Sequence, residues 1–240
     1  DGHGGSAVAD FAASNMPQNI LRAVQSGADG EDALRAAFVE TDRQVPAAGI
    51  PPSCGSTAVV GWLRESAGGK VLSVASCGDS RAVWCGDVAA AGAPGATPAL
   101  RRLSVEHKPS APAERKRVEE AGGEVIRDRV MGVLAVSRAL GDHGLKQWVA
   151  GEPDVCSVQV ACDGKGLLIL GCDGVFDVMS DQEAVSLVAQ SYEAMRRTLG
   201  GKQPDQAFYA EAAAGLAKGL VAEAVGRQSR DNVSAVVAII

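Results

Sequence analysis

The sequence lacks any apolar run of the length that a membrane span needs, and it carries fewer basic than acidic residues. The longest strongly apolar run extends from Gly166 to Cys172 and fits a buried strand. Lysine and arginine number 23 against 29 aspartates and glutamates, which gives a formal net charge of −6. Binding to nucleic-acid phosphates needs surplus basic charge, and the run "ERKR" at 114–117 is expected to be a solvated helix face. We therefore expect no nucleic-acid partner and no membrane span.

None of the cysteines is placed at a C-x-x-C or zinc-ribbon spacing. They lie in or beside apolar, strand-like runs, where a thiol behaves as a small hydrophobic group. The six are Cys54, Cys77, Cys85, Cys156, Cys162 and Cys172. We expect them to be reduced and structural, which predicts a cytoplasmic or nuclear protein.

Histidine is scarce too, with three in the chain. His107, in "EHKP", is expected to be structural. His143 follows Asp142 in a loop, and we expect it to be exposed there, with a position facing the cleft as the alternative. His3 differs from both because it stands between small residues close to an acid, in "DGHGG".

The hydrophobic pattern changes its period along the chain. Helices are predicted at 6–27 (a second one beginning at Pro17), over "DGEDALRAAFVETDRQV" and "PAERKRVEEAG", and at 181–199 and 207–226. Strands are predicted over "STAVVGWL", "KVLSVASC", "SRAVWCG", "ALRRLS", "RVMGVLAVSRAL", "PDVCSVQV", "GLLILGCDG" and "DNVSAVVAII". Residues 87–98 are rich in Ala, Gly and Pro and predict a hairpin loop. Because strands and helices do not alternate strictly, the pattern predicts an α+β fold with mainly antiparallel sheets and helices outside.

The first three residues hold groups that suit metal chemistry. In an extended segment, side chains two residues apart share a face, so Asp1 and His3 would point the same way. The carbonyl of Gly2 is exposed between them. Oxygen ligands suit Mg²⁺ or Mn²⁺, and an imidazole can serve as a proton donor.

Three further aspartates stand at the ends of apolar strands. Asp173 follows "LLILGC", Asp231 precedes "NVSAVVAII", and Asp79 lies in the turn of "SCGDSRA". Each alone fits an ordinary turn residue, since Asp-Gly and Asp at strand ends are common. Together with Asp1, they indicate a shared cleft that collects acidic ligands.

Nine segments of the chain resemble the metal-dependent Ser/Thr phosphatases of the protein phosphatase 2C, or PPM, family. In order they are "DGHGG", "CGSTAVV", "CGDSRAV", "EHKP", "RVEEAGGEV", "VMGVLAVSRALGD", "EPDV", "LLILGCDGVFDVMSDQE" and "SRDNVSAVV". The resemblance implies a four-layer αββα sandwich of two mainly antiparallel sheets flanked by helices. It also implies a single catalytic domain over residues 1–240 that lacks the first strands of the family fold.

The resemblance further implies a site for two Mg²⁺ or Mn²⁺ ions and a third, weaker metal site. Asp1 resembles the aspartate that bridges two ions, and the Gly2 carbonyl resembles a ligand to one of them. Asp173 and Asp231 resemble the ligands that complete the other ion. Asp79 resembles the acid of the third site, which it shares with Asp173.

The same resemblance implies hydrolysis of phosphoserine and phosphothreonine by a hydroxide that bridges the metals. His3 resembles the general acid that protonates the departing oxygen. Arg138, Asp142, Asp177 and Asn232 match further family positions, to which we assign supporting or structural duties. Phosphoprotein substrates and a monomeric catalytic domain within a longer protein are expected.

The sequence departs from the family pattern at its beginning. The family starts with strands that carry an arginine for the phosphate and a Glu-Asp pair, and this sequence begins after them. We therefore expect the chain to be part of a longer protein. A non-catalytic scaffold or regulatory subunit is the alternative, but every metal-ligating acid that falls within the chain is kept, which favours the enzyme.

Overall fold

The computed structural model describes residues 1–66, 69–92, 100–161 and 163–240. Its helices are α1 (Ala7–Gln25), α2 (Gly30–Gln44), α3 (Val88–Gly92), α4 (Pro112–Glu120), α5 (Asp173–Phe176), α6 (Asp181–Arg197) and α7 (Gln206–Gly226). Its strands are β1 (Gly2–His3), β2 (Gly55–Ser56), β3 (Ala58–Ser66), β4 (Gly69–Cys77), β5 (Arg81–Cys85), β6 (Leu100–Arg102), β7 (Val125–Ile126), β8 (Arg129–Val130), β9 (Leu140–Gly141), β10 (Asp154–Val160), β11 (Leu167–Gly171) and β12 (Ala235–Ile239). None of these helices combines the length and apolar character that a bilayer span requires.

The strands form small sheets with orders β1-β2-β9, β10-β4-β3, β12-β11-β5-β6 and β7-β8. Pairing is antiparallel between β1 and β2, β2 and β9, β11 and β12, β11 and β5, β5 and β6, and β7 and β8. This pattern confirms the prediction of mainly antiparallel sheets.

The chain falls into two compact units. The first holds Asp1–Val60, Ser73–Ser80 and Ser104–Cys156, and the second holds Gly61–Leu72, Arg81–Leu103 and Ser157–Ile240. The assignment of residues 1–240 to a single catalytic domain stays a prediction.

The second unit is organised around β11. Its apolar residues pair with β5 on one side and β12 on the other, over five residue pairs each. Leu167 and Ile169 are fully buried and join the core with Tyr192 of α6 and Leu216 of α7. A strand that is apolar along its whole length needs cover on both faces, and the run in "GLLILGC" forms a buried strand, as predicted, with a neighbour on each side.

In the first unit, α1 and α2 form a helical pair, and α1 corrects one prediction. Pro17 does not begin a second helix but lies inside the single helix Ala7–Gln25. A proline in a helix interior removes one backbone hydrogen bond, at a cost of about 3 kcal/mol. The helix continues because Val8, Ala12 and Met16 are buried at helical spacing and Asn19 donates a 2.9 Å hydrogen bond to Thr41 of α2.

Two further predictions are wrong in detail. The segment "RVMGVLAVSRAL" is not one strand, since turns separate β8 from β9. Met131 and Gly132 have φ values of 52° and 70°, which end the strand, while Val136 and Ala139 pack into a compact apolar cluster. Within the predicted hairpin loop at 87–98, residues 88–92 form α3, and residues 93–99 lie outside the described residues.

Candidate active site

The first three residues are extended, as predicted, because β1 is held by β2. Gly2 pairs with Ser56 and His3 pairs with Gly55. The Asp1 carbonyl accepts a 2.8 Å hydrogen bond from the backbone N–H of Thr57 and a 2.9 Å bond from the Ser56 hydroxyl. The backbone of Asp1 is therefore fixed, and its half-buried carboxylate has no ion-pair partner among the described residues.

His3 makes a direct contact with Asp142. The distance from His3 Nε2 to Asp142 Oδ2 is 2.6 Å, and the side chains are 30% and 4% exposed respectively. With the hydrogen on Nε2, His3 donates to the carboxylate, which fixes the ring orientation and leaves Nδ1 as the other functional nitrogen. The two residues are 139 positions apart in the chain.

The space beside the His3–Asp142 pair leaves no room for a side chain at position 55. Gly55 lies between His3 and Gly141, pairing with both across the small sheet. A Cβ atom on Gly55 would lie 2.1 Å from Asp142 Oδ2 and 2.3 Å from His3 Nε2. Asp142 itself has a φ of 49°, a left-handed conformation that short polar residues adopt more readily than others. The pair therefore depends on a side-chain-free neighbour and a strained backbone.

Asp79 lies in the turn between β4 and β5, where the sequence placed it. It is buried, and its Oδ2 accepts a hydrogen bond from the ammonium group of Lys108. A divalent ion at Asp79 would have to compete with this lysine. Asp79 therefore fits a metal less well than Asp1 does.

In the second unit, Asp173 and Asp231 are brought to the same end of the β11–β12 pair. Asp173 follows β11 as the first residue of α5, and Asp231 precedes β12. The two segments contact each other closely, since a Cβ on Gly174 would lie 2.3 Å from the carbonyl oxygen of Asn232. Asp173 is half-buried and Asp231 is exposed. The antiparallel register thus places two acids that are far apart in sequence at one end of the strand pair.

The neighbours of these acids have local roles. The exposed Asp177 follows α5, and its N–H donates a 2.8 Å bond to the Asp173 carbonyl. The N–H of the exposed Asn232 donates a 2.7 Å bond to Asp231 Oδ1, and its carbonyl accepts a bond from the Cys172 thiol. These contacts shape the two loops that hold the acids.

Arg138 belongs to a buried ionic network that the sequence did not reveal. Its Nε and Nη2 donate bonds of 3.0 and 2.6 Å to Glu114 Oε1. Burial by itself would raise the pKa of the Glu114 carboxyl, but hydrogen bonds from Arg138 and Ser137 and the charge of Arg117 lower that pKa to about 2. The prediction of a solvated "ERKR" face is therefore wrong for Glu114, which is 5% exposed. The spacing of the sequence could have indicated this burial, because Glu114 lies one helical turn before the buried Val118, on the same face of α4.

The sequence predicted a structural role for His107 but not that it belongs to the network around Glu114. It is fully buried, its Nδ1 lies 3.0 Å from the Gly78 carbonyl, and its Nε2 lies 2.9 Å from Asp154 Oδ2. Its backbone carbonyl accepts a 2.9 Å bond from the Ser137 hydroxyl. His107 thus ties the turn that carries Asp79 to the network around Glu114.

The oxygen donors of Asp1 and Gly2 in the first unit, and those of Asp173 and Asp231 in the second, suit a hard divalent cation. Carboxylates and a backbone carbonyl are the ligands that Mg²⁺ and Mn²⁺ prefer. Like the Asp1 carboxylate, that of Asp231 has no ion-pair partner within the part of the chain that the structure describes. The Asp1 carboxylate and the Gly2 carbonyl in the first unit, and the Asp231 carboxylate in the second, are therefore each of a kind that fits such an ion.

Comparison with known proteins gives a consistent result. The protein phosphatase 2C family model matches residues 1–233. Protein phosphatase 2C homolog 1 of Schizosaccharomyces pombe is 36% identical over 192 residues, which cover 78% of this chain and 52% of that protein. Probable protein phosphatase 2C 45 of Oryza sativa is 36% identical over 242 residues, which cover 99% of this chain and 73% of that protein. The chain thus spans about half to three quarters of the length of these relatives.

Solved structures show the same likeness. A Caenorhabditis elegans sex determining protein matches with a TM-score of 0.76 and 29% identity, over 100% of this chain and 54% of that one. A Toxoplasma gondii phosphatase matches with a TM-score of 0.72 and 24% identity, over 100% of this chain and 82% of that one. These matches confirm the predicted fold class. The family model matches residues 1–233 of this chain, and two relatives from the family are each 36% identical to it in sequence. This chain therefore belongs to the protein phosphatase 2C family.

Proposed function

We propose that the protein hydrolyses phosphoserine and phosphothreonine in phosphoproteins, with Mg²⁺ or Mn²⁺ as cofactor. The observation that carries the proposal is the hydrogen bond between His3 and Asp142. His3 directly follows Gly2 and Asp1 in the chain, so the fixed imidazole is one residue from the Gly2 carbonyl and two from the Asp1 carboxylate. Membership of the phosphatase family supports the reaction class.

Asp1, the Gly2 carbonyl, Asp173 and Asp231 are the proposed metal ligands, with Asp79 and Asp173 at a third, weaker site. When bound, the ions supply positive charge that offsets the phosphoryl oxygens and lowers the pKa of water. The Lys108–Asp79 ion pair is consistent with weak binding at the third site, because the ion must displace an ammonium group.

His3 is the proposed proton donor to the leaving oxygen. Cleavage of a serine or threonine phosphate releases a poor alkoxide leaving group, so a positioned acid speeds the reaction. Asp142 holds Nε2, and the proton for the leaving group is then held at Nδ1 of the imidazolium. Asp142 is in this proposal a positioning residue that acts through His3.

The test uses the full-length protein that contains this chain. Phosphate release from a phosphoserine peptide is measured with excess Mn²⁺, with EDTA, and for the His3→Gln variant. We expect metal-dependent turnover that falls about a hundredfold or more in His3→Gln, in line with general acid catalysis, while His143→Gln is a matched control that stays near wild type. Absence of turnover in correctly folded, metal-loaded protein would instead favour the non-catalytic scaffold.

We also propose a reducing compartment, cytoplasm or nucleus. The five described cysteines are free thiols, and burial raises the pKa of the Cys77 thiol to about 12, which makes it unreactive. Cys162 lies outside the described residues. Fluorescent tagging of the full-length protein in its own cells tests the location, and a secreted product would contradict it.

A further inference from the structure

A cavity of about 240 Å³ lies in the first unit, and its lining contains none of the proposed metal ligands and not His3. Two segments line most of it, residues 108–110 before α4 and residues 127–129 at the turn between β7 and β8, and Ala135 completes the wall. The lining contains three basic side chains and one acidic side chain, in a protein whose net charge is −6. The cavity is thus a local basic site on an acidic protein.

The turn that lines the cavity is strained. Arg127 and Asp128 link β7 to β8 and have φ values of 50° and 59°. Such two-residue hairpin turns are normally occupied by Gly or Asn, because those residues tolerate positive φ at little cost. An aspartate adopts this conformation more readily than most residues, but an arginine is strained there, and strain of this kind is concentrated at functional sites. Arg127 is therefore held in a conformation that is unfavourable for an arginine.

The basic groups differ in how far they are already engaged. Lys108 pairs with Asp79, and Arg129 Nη1 donates a 2.8 Å bond to the Val133 carbonyl. The guanidinium of Arg127 belongs to an exposed residue and has no ion-pair partner among the described residues. A planar guanidinium can bind a phosphate or carboxylate through two parallel hydrogen bonds. Arg127 is therefore the principal anion-binding group of the cavity, with Arg129 beside it.

We propose that this cavity binds a second anionic group of the polypeptide substrate, a phosphate or a carboxylate, and so selects phosphoproteins that are acidic near the phosphorylated residue. The proposal rests on the proposed function, since it assigns the cavity to the same substrate. A phosphate and a carboxylate can each accept two parallel hydrogen bonds from a guanidinium, so the experiment compares peptides that carry one or the other.

The test measures binding directly, in full-length protein with EDTA so that no hydrolysis occurs. Fluorescence anisotropy follows labelled peptides of one sequence that carry a run of glutamates, the same run with one phosphoserine, or glutamines in place of the glutamates. Arg127→Asn removes the charge but keeps a residue that tolerates positive φ, and Asp128→Asn removes the opposing charge in the same way. Arg43→Gln is the matched control, because Arg43 is exposed and pairs with Glu40 on α2.

We expect Arg127→Asn to weaken binding of the acidic peptides about three- to tenfold, the range of one hydrogen bond of ordinary net strength, and Asp128→Asn to strengthen it. The Arg43→Gln variant and the glutamine peptide should show no such change. A larger loss for the phosphoserine peptide than for the glutamate peptide identifies phosphate as the preferred anion. Equal affinities in wild type, Arg127→Asn and Asp128→Asn would overturn the proposal, as would inorganic phosphate that binds as tightly as the peptides.

A second measurement separates this proposal from the proposed function. With Mn²⁺ present, para-nitrophenyl phosphate carries no second anion, so Arg127→Asn should hydrolyse it at the wild-type rate while its KM for the acidic phosphopeptide rises. A wild-type protein that hydrolyses neither substrate contradicts the proposed function. Hydrolysis of both substrates with unchanged KM in Arg127→Asn contradicts only the role of the cavity.

Discussion

The residues around His3 and the residues at the β11–β12 end are held in place by different means. His3 and Asp142 lie on or beside strands of two residues, and a single side-chain hydrogen bond and the absence of a side chain on Gly55 define their geometry. Asp173 and Asp231 follow or precede five-residue strands that are fixed by backbone pairing and a buried apolar core. The first arrangement is therefore sensitive to single atoms. The second should tolerate changes of its acids without loss of fold.

The largest effect is expected at the β11–β12 end. Asp173→Asn in the full-length protein should lower phosphatase activity at saturating Mn²⁺ by more than about a hundredfold, beyond the range typical of outer-shell changes at metal sites. Backbone pairing and core are untouched, so the circular dichroism spectrum and cooperative unfolding should be kept. Mn²⁺ affinity from calorimetry should fall in parallel. Near wild-type activity in this variant would exclude Asp173 as a ligand.

The Asp142→Asn variant probes the other region. An amide has nearly the shape of a carboxylate but carries no charge, so it can leave His3 in the wrong tautomer or orientation. We expect a fall in kcat of about ten- to a hundredfold, with Mn²⁺ affinity unchanged. The comparison is made by steady-state kinetics and by the pH profile of kcat against wild type. If Mn²⁺ affinity falls and the pH profile does not change, Asp142 supports the metal site and not His3.

Gly55→Ala tests whether space alone defines the His3 region. The added Cβ would meet both Asp142 and His3 at 2.1–2.3 Å, so one of them must move. Overpacking of this kind costs about 1–3 kcal/mol in the free energy of unfolding. Gly219→Ala in α7 is the matched control, because nothing lies within 4 Å of its added Cβ and alanine favours a helix. Chemical denaturation should show opposite signs for the two variants.

An effect of similar size, which also depends on pH, is expected for the Glu114 network in the first unit. The pKa of Glu114 is about 2 against an ordinary 4.5, so its contribution to stability is fully present above pH 4.5 and is lost as the pH falls towards 2. Glu114→Gln should be less stable than wild type at pH 7 by about 1–3 kcal/mol, because Arg138 loses its partner. The difference between the two proteins should shrink between pH 4.5 and 2 in urea unfolding series. A difference that is constant over this range would show that the charge of Glu114 is not what stabilises the network.

Local pattern predicted most of the elements. The helices at 181–199 and 207–226 are observed as α6 and α7, and α6 begins at a capping box formed by Ser180 and Glu183. The apolar run of β11 and the extended Asp1–His3 segment were also predicted correctly. These features depend on side-chain periodicity and backbone preference over a few residues, and both can be read from a short stretch of sequence.

Other features depend on partners that are distant in the chain. The continuous α1 exists despite Pro17 because packing on α2 outweighs the lost hydrogen bond. The burial of Glu114 follows from Arg138, 24 residues away, and the placement of Asp231 beside the Asp173 segment follows from the register of β11 with β12. A propensity computed over a short window contains none of these contacts.

The sequence by itself therefore determined most of the helices and strands in their order, the family, and the acids and histidine that are candidates for chemistry. Only the tertiary structure decided that Nε2 of His3 faces Asp142 and that Gly55 must be free of a side chain. It also decided that the Arg127–Asp128 turn lines a basic cavity. The physical reason is that hydrophobic period and backbone preference act between near neighbours, whereas hydrogen-bond partners and close approach are fixed by strand register across more than a hundred residues.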